Sequence, residues 1–230
     1  MRHKRVTLVL AVLAVLLLAV SGPGTRAGLW PFRVGFGMFA GAMLVGLAAA
    51  GAAIVGLVMP RLRAGSVTLL VACLAVGAAS ASVPLDYVIR VKTLPYINDI
   101  TTDVEHPPQF SPPKPYESYF GELQQIGYPD LRPLELALPP KEAFARAAEA
   151  VREEGWEITA MDESAARIEA VVTTRWFGFK DDVAIRIVPA GAGSKVDMRS
   201  KSRVGRSDVG TNAQRIREFL SRVDRRSGRS

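Results

Sequence analysis

Apolar positions crowd the front of the chain and thin out behind it. Val6 to Val20 is apolar apart from Thr7, Val34 to Met59 holds no charged residue, and Val67 to Val83 is nearly as clean. A helix needs roughly 20 apolar residues to cross about 30 Å of hydrocarbon. The pattern therefore predicts three membrane helices, over about 6–21, 34–59 and 66–83, within a transmembrane region spanning 1–85. The first run has a second reading. A basic start, Met1 to Arg5, an apolar stretch and the small residues of Ala19-Val20-Ser21 are also the layout of a cleaved secretory signal, which would leave two spans.

From Leu94 to Tyr128 no period is sustained and prolines recur. Proline fixes φ and pushes the residue before it toward extended conformations, so 86–127 is expected to be an extended linker or strap that spaces a domain from the bilayer. Beyond it the patterning sharpens. Leu134, Leu136 and Leu138 alternate as a strand; Pro139-Pro140 then opens a helix with Phe144, Ala147, Ala148 and Val151 on one stripe, ended by Gly155. Four further strands follow, with Trp156, Ile158 and Ala160, then Ile168, Ala170 and Val172, then Val183, Ile185 and Ile187, then Val196, Met198, Ser200 and Ser202 facing inward. Val209, Ala213, Ile216, Leu220 and Val223 recur at helical spacing. The fold class is α+β: an antiparallel sheet in the order β-α-β-β-β-β-α, one face covered by two helices, over 128–224, with a basic tail at 225–230.

Charge alters this picture. The net formal charge is +7, but residues 1–94 carry nine basic and one acidic residue, 95–182 eight and seventeen, and 183–230 twelve and four. The part after the membrane helices is thus nearly neutral and polarised, which argues against a nucleic-acid-binding domain and for internal pairing. Arg2, Lys4, Arg5, Arg61 and Arg63 outweigh Arg26 and Arg33 in the opposite loop, so the N-terminus is expected inside and the soluble domain in the periplasm of a Gram-negative-type bacterium, anchored in the inner membrane. Cys73, the single cysteine, lies in the third span, which excludes cysteine nucleophiles and cysteine metal sites from the soluble part.

Three stretches, "PYINDITTDVEHPPQF", "RWFGFKDDVAIRI" and "MRSKSRVGRSDVGTNAQRIREFL", closely resemble the bacterial family called domain of unknown function 1499, over about 95–223. The resemblance implies a compact, membrane-attached envelope domain. It brings no catalytic residue.

Arg199 to Arg217 is the most suggestive stretch. Strand alternation puts Lys195, Asp197, Arg199, Lys201 and Arg203 on a solvent-facing stripe, with Arg186 opposite Asp197. Past Gly205, Arg203, Arg206, Ser207, Thr211 and Arg215 could converge on an anion at a helix start. The competing reading is a structural latch, in which Asp181, Asp182, Asp208 and Asn212 pair with these arginines and tie the last helix to the sheet. Thr211 and Gln214 have capping-box spacing, with Ser207 as rival cap. Asp181 and Asp182, adjacent in a strand, face opposite ways and cannot act as a dyad. Asp99 to Asp103 reads as turns, or as a cation site short of a third ligand; His3 and His106 are isolated, so no metal and no cofactor is expected. Trp176, Phe177 and Phe179 would cap the domain core, line a pocket or dip into the bilayer interface. The expected function is a non-enzymatic membrane protein displaying a binding module for an anionic lipid headgroup or envelope component. Two alternatives stand: a periplasmic hydrolase working through Arg203, Arg206 and Arg215, and an inverted topology that sets the basic edge against anionic lipid or nucleic acid.

Overall fold

The computed structural model describes residues 2–227 and divides into two compact units, Met1–Lys92 with Arg175–Gly178, and Thr93–Thr174 with Phe179–Ser230. Three helices of the first unit, α1 (Arg2–Arg26), α2 (Phe32–Val58) and, after the short α3 (Pro60–Arg63), α4 (Val67–Thr93), are long and apolar enough to cross a membrane, each holding an 18-residue stretch with a mean hydropathy of 2.5, 2.2 and 2.0 respectively. α4 runs on through Pro84 for ten residues beyond the apolar stretch that predicts it. Small residues make the helix contacts. A Cβ on Gly46 would lie 2.7 Å from the Gly77 carbonyl, and Ala42, Ala49 and Ala53 are buried beside it. Lipid chains are as apolar as leucine, so such close backbone approach, not hydrophobic burial, holds membrane helices together. The tetrad Arg175–Gly178 belongs to this packing. Phe177 stacks on Phe36 at 4.8 Å and meets Phe39 edge-on at 5.8 Å, and Trp176 Nε1 donates to Ser21 Oγ at 3.4 Å. These two aromatics therefore do not cap the sheet core, as one expectation held.

The second unit contains β1 (Asp99–Thr101), α5 (Ser118–Gly127), β2 (Leu134–Leu136), α6 (Pro140–Glu153), β3 (Glu157–Asp162), β4 (Arg167–Thr173), β5 (Lys180–Ala190), β6 (Gly193–Ser202) and α7 (Thr211–Ser227). The antiparallel sheet runs β1-β6-β5-β4-β3. β2 shares the β6 edge with β1, pairing Leu134 with Val196 while β1 pairs Ile100 with Ser200. The predicted order β-α-β-β-β-β-α is present from β2 onward. What differs lies upstream: the stretch expected to be an extended linker or strap also supplies a sixth strand and a helix, and Ile97 and Ile100 are fully buried in the core. A three-residue strand is too short to leave a periodic signal.

One face of the sheet carries the apolar core. Phe144, Ala147 and Val151 of α6 and Ala213, Ile216, Phe219 and Val223 of α7 pack on Ile168, Val183, Ile185, Val196 and Met198. Phe219 stacks on Trp156 at 5.4 Å. β3 departs from expectation: it is exposed along its length, so Ile158, although paired with Ala170 on the core side, is not buried, and Ala160 pairs with Glu169 on the other face. It is the sheet's edge, and a register shift between Ile158 and Ala160 breaks its alternation. α7 continues through Ser227, so the start of the expected basic tail is helical, and residues 228–230 lie outside the described residues.

Candidate functional site

β6 organises the polar chemistry of the second unit because its alternate side chains serve both faces of the sheet. The face expected to meet solvent is covered, in large part, by the proline-rich strap between β1 and α5. Asp197 and Arg199 are buried there, contrary to the solvent stripe predicted from alternation. Arg199 is one of the largest fully buried side chains of the molecule. Its Nε and Nη2 donate to the two carboxylate oxygens of the equally buried Asp99 at 2.9 and 2.8 Å. The same guanidinium donates to the carbonyls of Pro108 (3.3 Å) and Pro115 (3.1 Å) and lies between the rings of Phe110 and Tyr116, 4.9 and 5.2 Å from their centroids. Prolines suit these positions: they present carbonyls and lack an N–H that would need a partner.

The same face carries further clasps. Lys201 reaches Asp99 at 2.7 Å; Arg186 bridges Asp103 (2.9 Å) and Asp197 (2.8 Å); Asp182 accepts from Lys114 and from Arg203. Glu169 accepts the Ser111 N–H at 3.0 Å. Burial pushes Asp103 and Asp182 up, but the His106 N–H and Arg186 in one case, and Arg203 and Lys114 in the other, outweigh it and hold both carboxyls below their ordinary value. Asp99 to Asp103 is accordingly a strand followed by an Asx turn in which Asp103 accepts the N–H groups of Glu105 and His106. Among the described residues no group of three or more His, Cys, Asp or Glu side chains is placed to hold a metal.

On the helix-covered face, Arg215 is buried. It donates to Asp181 at 2.6 Å, to Ser200 Oγ at 2.8 Å and to Asn212 Oδ1. Asn212 donates in turn to Ser202 Oγ and to the Asn98 carbonyl, both at 3.1 Å. Asp181 and Asp182 thus face opposite ways, Asp181 toward α7 and Asp182 toward the strap.

The turn from β6 into α7 needs left-handed backbone at Gly205 (φ +91°), Val209 (+55°) and Gly210 (+81°). Glycine accepts this conformation without strain. Asp208, not Thr211 with Gln214, supplies the cap: its two carboxylate oxygens accept the N–H groups of Gly210 (3.0 Å) and Asn212 (2.7 Å), while Gln214 turns to Glu218. Burial pushes the Asp208 carboxyl up against those two bonds. Ser207 Oγ accepts the Val209 N–H at 3.2 Å. Of the residues expected to converge on an anion, Arg203, Arg206 and Thr211 are exposed and Ser207 is half-buried, whereas Arg215 is sequestered under the helix. Arg206 has no ion-pair partner among the described residues.

A cleft of about 390 Å³ opens between the end of β1, α5 and the segment after it, lined by Thr102, Val104, Gln124, Tyr128 and Arg132 among others. Gln124 spends its amide on the edge of β1, accepting from Thr101 N–H and donating to Thr101 C=O. The Tyr128 hydroxyl is buried with no hydrogen-bond partner among the described residues; burial, aided by Asp208 and opposed by Arg217, pushes it up to about 12. That phenol stays protonated at neutral pH.

Sequence reasoning missed the Asp99–Arg199 centre. The available signal was the acidic excess of 95–182 facing the basic excess of 183–230, which matches the strap's aspartates to the basic positions of β6.

The residues that form this double-sided site, 99–223, match the family described as "Protein of unknown function (DUF1499)". No curated protein matches the chain significantly. Among solved structures, the crystal structure of Ara h 8.0201 aligns with a TM-score of 0.34 at 11% identity, covering 43% of this chain and 96% of that one.

Proposed function

We propose a function from the premise that the chain belongs to the family described as "Protein of unknown function (DUF1499)", whose description names no activity: it is an inner-membrane protein that displays a non-catalytic module in the periplasm, binding an anionic ligand or lipid headgroup. The observation that carries the reading is the pair of exposed guanidinium groups, Arg203 and Arg206, beside the exposed Thr211 hydroxyl at the start of α7. Arg206 has no partner among the described residues and can take a phosphate, sulfate or carboxylate in two-pronged fashion. Arg203 is shared with Asp182, and Asp208 already occupies the first-turn N–H groups, so the proposed ligand is held by side chains at the rim of the turn and not by the helix end.

The carboxylates weigh against the hydrolase alternative. Asp99, Asp181, Asp182, Asp197 and Glu169 each sit on a guanidinium or ammonium group, whereas a general base must be free to take a proton near neutral pH. For orientation, Lys4 Nζ donates to the Ala64 carbonyl at 2.8 Å, which gathers Arg2, Lys4 and Arg5 with Arg61 and Arg63 at one end of the helix bundle. Such a basic end favours the cytoplasm and sets the ends of α1 and α4 that carry Arg26 and Thr93 on the other side.

The test uses the full chain in detergent micelles, melted with and without inorganic phosphate or added phosphatidylglycerol. A rise in melting temperature that disappears in Arg206→Ala, with the unliganded melt unchanged, is the expected result. No stabilisation by either probe, or stabilisation that survives in Arg206→Ala, refutes the site. A reporter fused after Val223 that is active only in the cytoplasm refutes the orientation.

A further inference from the structure

α5 buries one face and leaves an apolar face uncovered. Phe120, Gly121 and Gln124 point into the second unit. Tyr119, Leu123 and Ile126, at i, i+4 and i+7, share the opposite face and are 52%, 37% and 81% exposed. Tyr96, 56% exposed, adds a second aromatic ring from the segment before β1. Ile126, an aliphatic residue almost wholly in solvent, gains nothing from the fold that surrounds it.

Chain continuity bears on what could cover this stripe. α4 ends at Thr93, and its own apolar surface reaches to within about one turn of that end, where Val88 and Ile89 are still exposed. Pro95 follows two residues later, at most about 7 Å of extended chain. Pro95 abuts the C-terminal end of α5, where a Cβ on Gly127 would overlap the Pro95 ring. Ile126 therefore sits beside residues tethered within a few ångströms of the end of a membrane helix. Arg90 and Lys92, on the last turn of α4, belong to the headgroup layer, and tyrosine is a side chain that prefers that layer, with its ring in apolar surroundings and its hydroxyl in water.

We propose that the exposed face of α5, with Tyr96, is a membrane-docking surface: Tyr119, Leu123 and Ile126 lie in the headgroup–acyl boundary of the leaflet from which α4 emerges. This rests on α1, α2 and α4 being membrane spans but not on which side the second unit occupies, nor on the anion site. The chemistry of the contact is apolar. α5 carries Glu122 and no basic residue, so the surface is drawn in by apolar burial and not by anionic lipid.

The experiment places a nitroxide on single cysteines in the full chain with Cys73→Ala, reconstituted in phosphatidylethanolamine–phosphatidylglycerol vesicles. The ratio of oxygen to water-soluble nickel-chelate collisions is compared at Ile126→Cys and at Ser221→Cys, an exposed position on α7. The expected ratio at Ile126 is several-fold above that at Ser221, unchanged by salt and in pure phosphatidylcholine, and returned to the Ser221 level by Leu123→Glu or Tyr96→Glu. A ratio at Ile126 equal to that at Ser221 overturns the proposal. So does protection from both reagents, which would mean that a protein face covers the stripe; dipolar broadening between labels would identify that face as a second copy. A reporter result that inverts the orientation leaves this measurement unaffected, so the two readings fail separately.

Discussion

Replacing Arg199 by methionine tests whether the strap is clamped to the sheet by charge. The substitution keeps an unbranched apolar body between Phe110 and Tyr116 but strands Asp99, which is fully buried, with Lys201 at 2.7 Å as its remaining counter-charge. Breaking a buried ion pair costs about 3–5 kcal/mol, and Lys201 brings the figure to the lower end, about 3 kcal/mol. The carbonyls of Pro108 and Pro115 also lose their donor, at about 1 kcal/mol each. Part of this is offset by the removal of a guanidinium that had itself to be desolvated, leaving a net loss of about 4 kcal/mol. For a unit of this size, that lowers the melting temperature by roughly 12–16 °C. Near-ultraviolet circular dichroism of the full chain in micelles follows the loss, since Trp156 stacked on Phe219 reports the core of the second unit. A second substitution, Asp99→Asn in the Arg199→Met background, removes the stranded charge and should restore about 2 kcal/mol. A loss below about 1 kcal/mol in the single variant would mean that the strap is held by its apolar contacts alone and that the clamp argument is wrong.

Three other expectations are independent of this one. Arg215→Ala leaves Asp181 buried without a cation and should cost about 3–5 kcal/mol in a chemical or thermal melt, whereas Arg206→Ala should stay within about 0.5 kcal/mol; equal effects would refute the distinction between latch and rim. Asp103 and Asp182 have folded-state values below their unfolded ones, so the stability they supply is present above about pH 4 and is lost as pH falls through the lowered values; Asp208, pushed up by burial, has the opposite sign and subtracts stability as pH rises past about 4. Melting temperature against pH should therefore peak on the acidic side of neutrality and fall below about pH 4, and a profile that keeps rising into acid would contradict the pairing. Gly46→Val sets a branched side chain against the Gly77 carbonyl and should abolish the close α2–α4 approach, read as lost cross-linking between cysteines placed on those helices; retained cross-linking would show that the bundle does not depend on it.

How far the sequence discloses the fold depends on the length of each signal. The three long apolar helices and α6 announce themselves through long runs or a repeated stripe, and β4, β5 and β6 through sustained alternation. β1 and α5 do not. The first is three residues long, and the second carries two apolar stripes, Phe120 with Gly121 and Tyr119 with Leu123 and Ile126, so no single face stands out. β3 misleads for the converse reason: Trp156, Ile158 and Ala160 alternate, but the register shift after Ile158 puts Ala160 on the other face, and at the sheet edge even Ile158 stays exposed. Within the site, the pairing of Arg186 with Asp197 and the opposed directions of Asp181 and Asp182 follow from alternation alone. The burial of Arg199 does not, because alternation says which face a residue occupies and not what covers that face.

That last point sets the meaning of the basic run in β6. Ser200 and Ser202 on one side meet Arg215 and Asn212, while Arg199 and Lys201 on the other meet Asp99, so successive residues of one strand are committed to two different partners. A strand with water on its outer face would tolerate any polar residue at 197, 199 or 201. A strand buried on both faces tolerates at 199 only a side chain that neutralises Asp99, satisfies two proline carbonyls and fills the gap between two rings, and arginine alone combines a planar fork with a stacking surface. Arg199→Lys keeps the charge and is therefore the sharper probe: it should lose the second contact to Asp99 and the stacking, and destabilise the strap by about 1–3 kcal/mol, read as faster chymotryptic cleavage at Phe110 and Tyr116. Cleavage no faster than in the unsubstituted chain would show that charge alone holds the strap and that the shape of the guanidinium is immaterial.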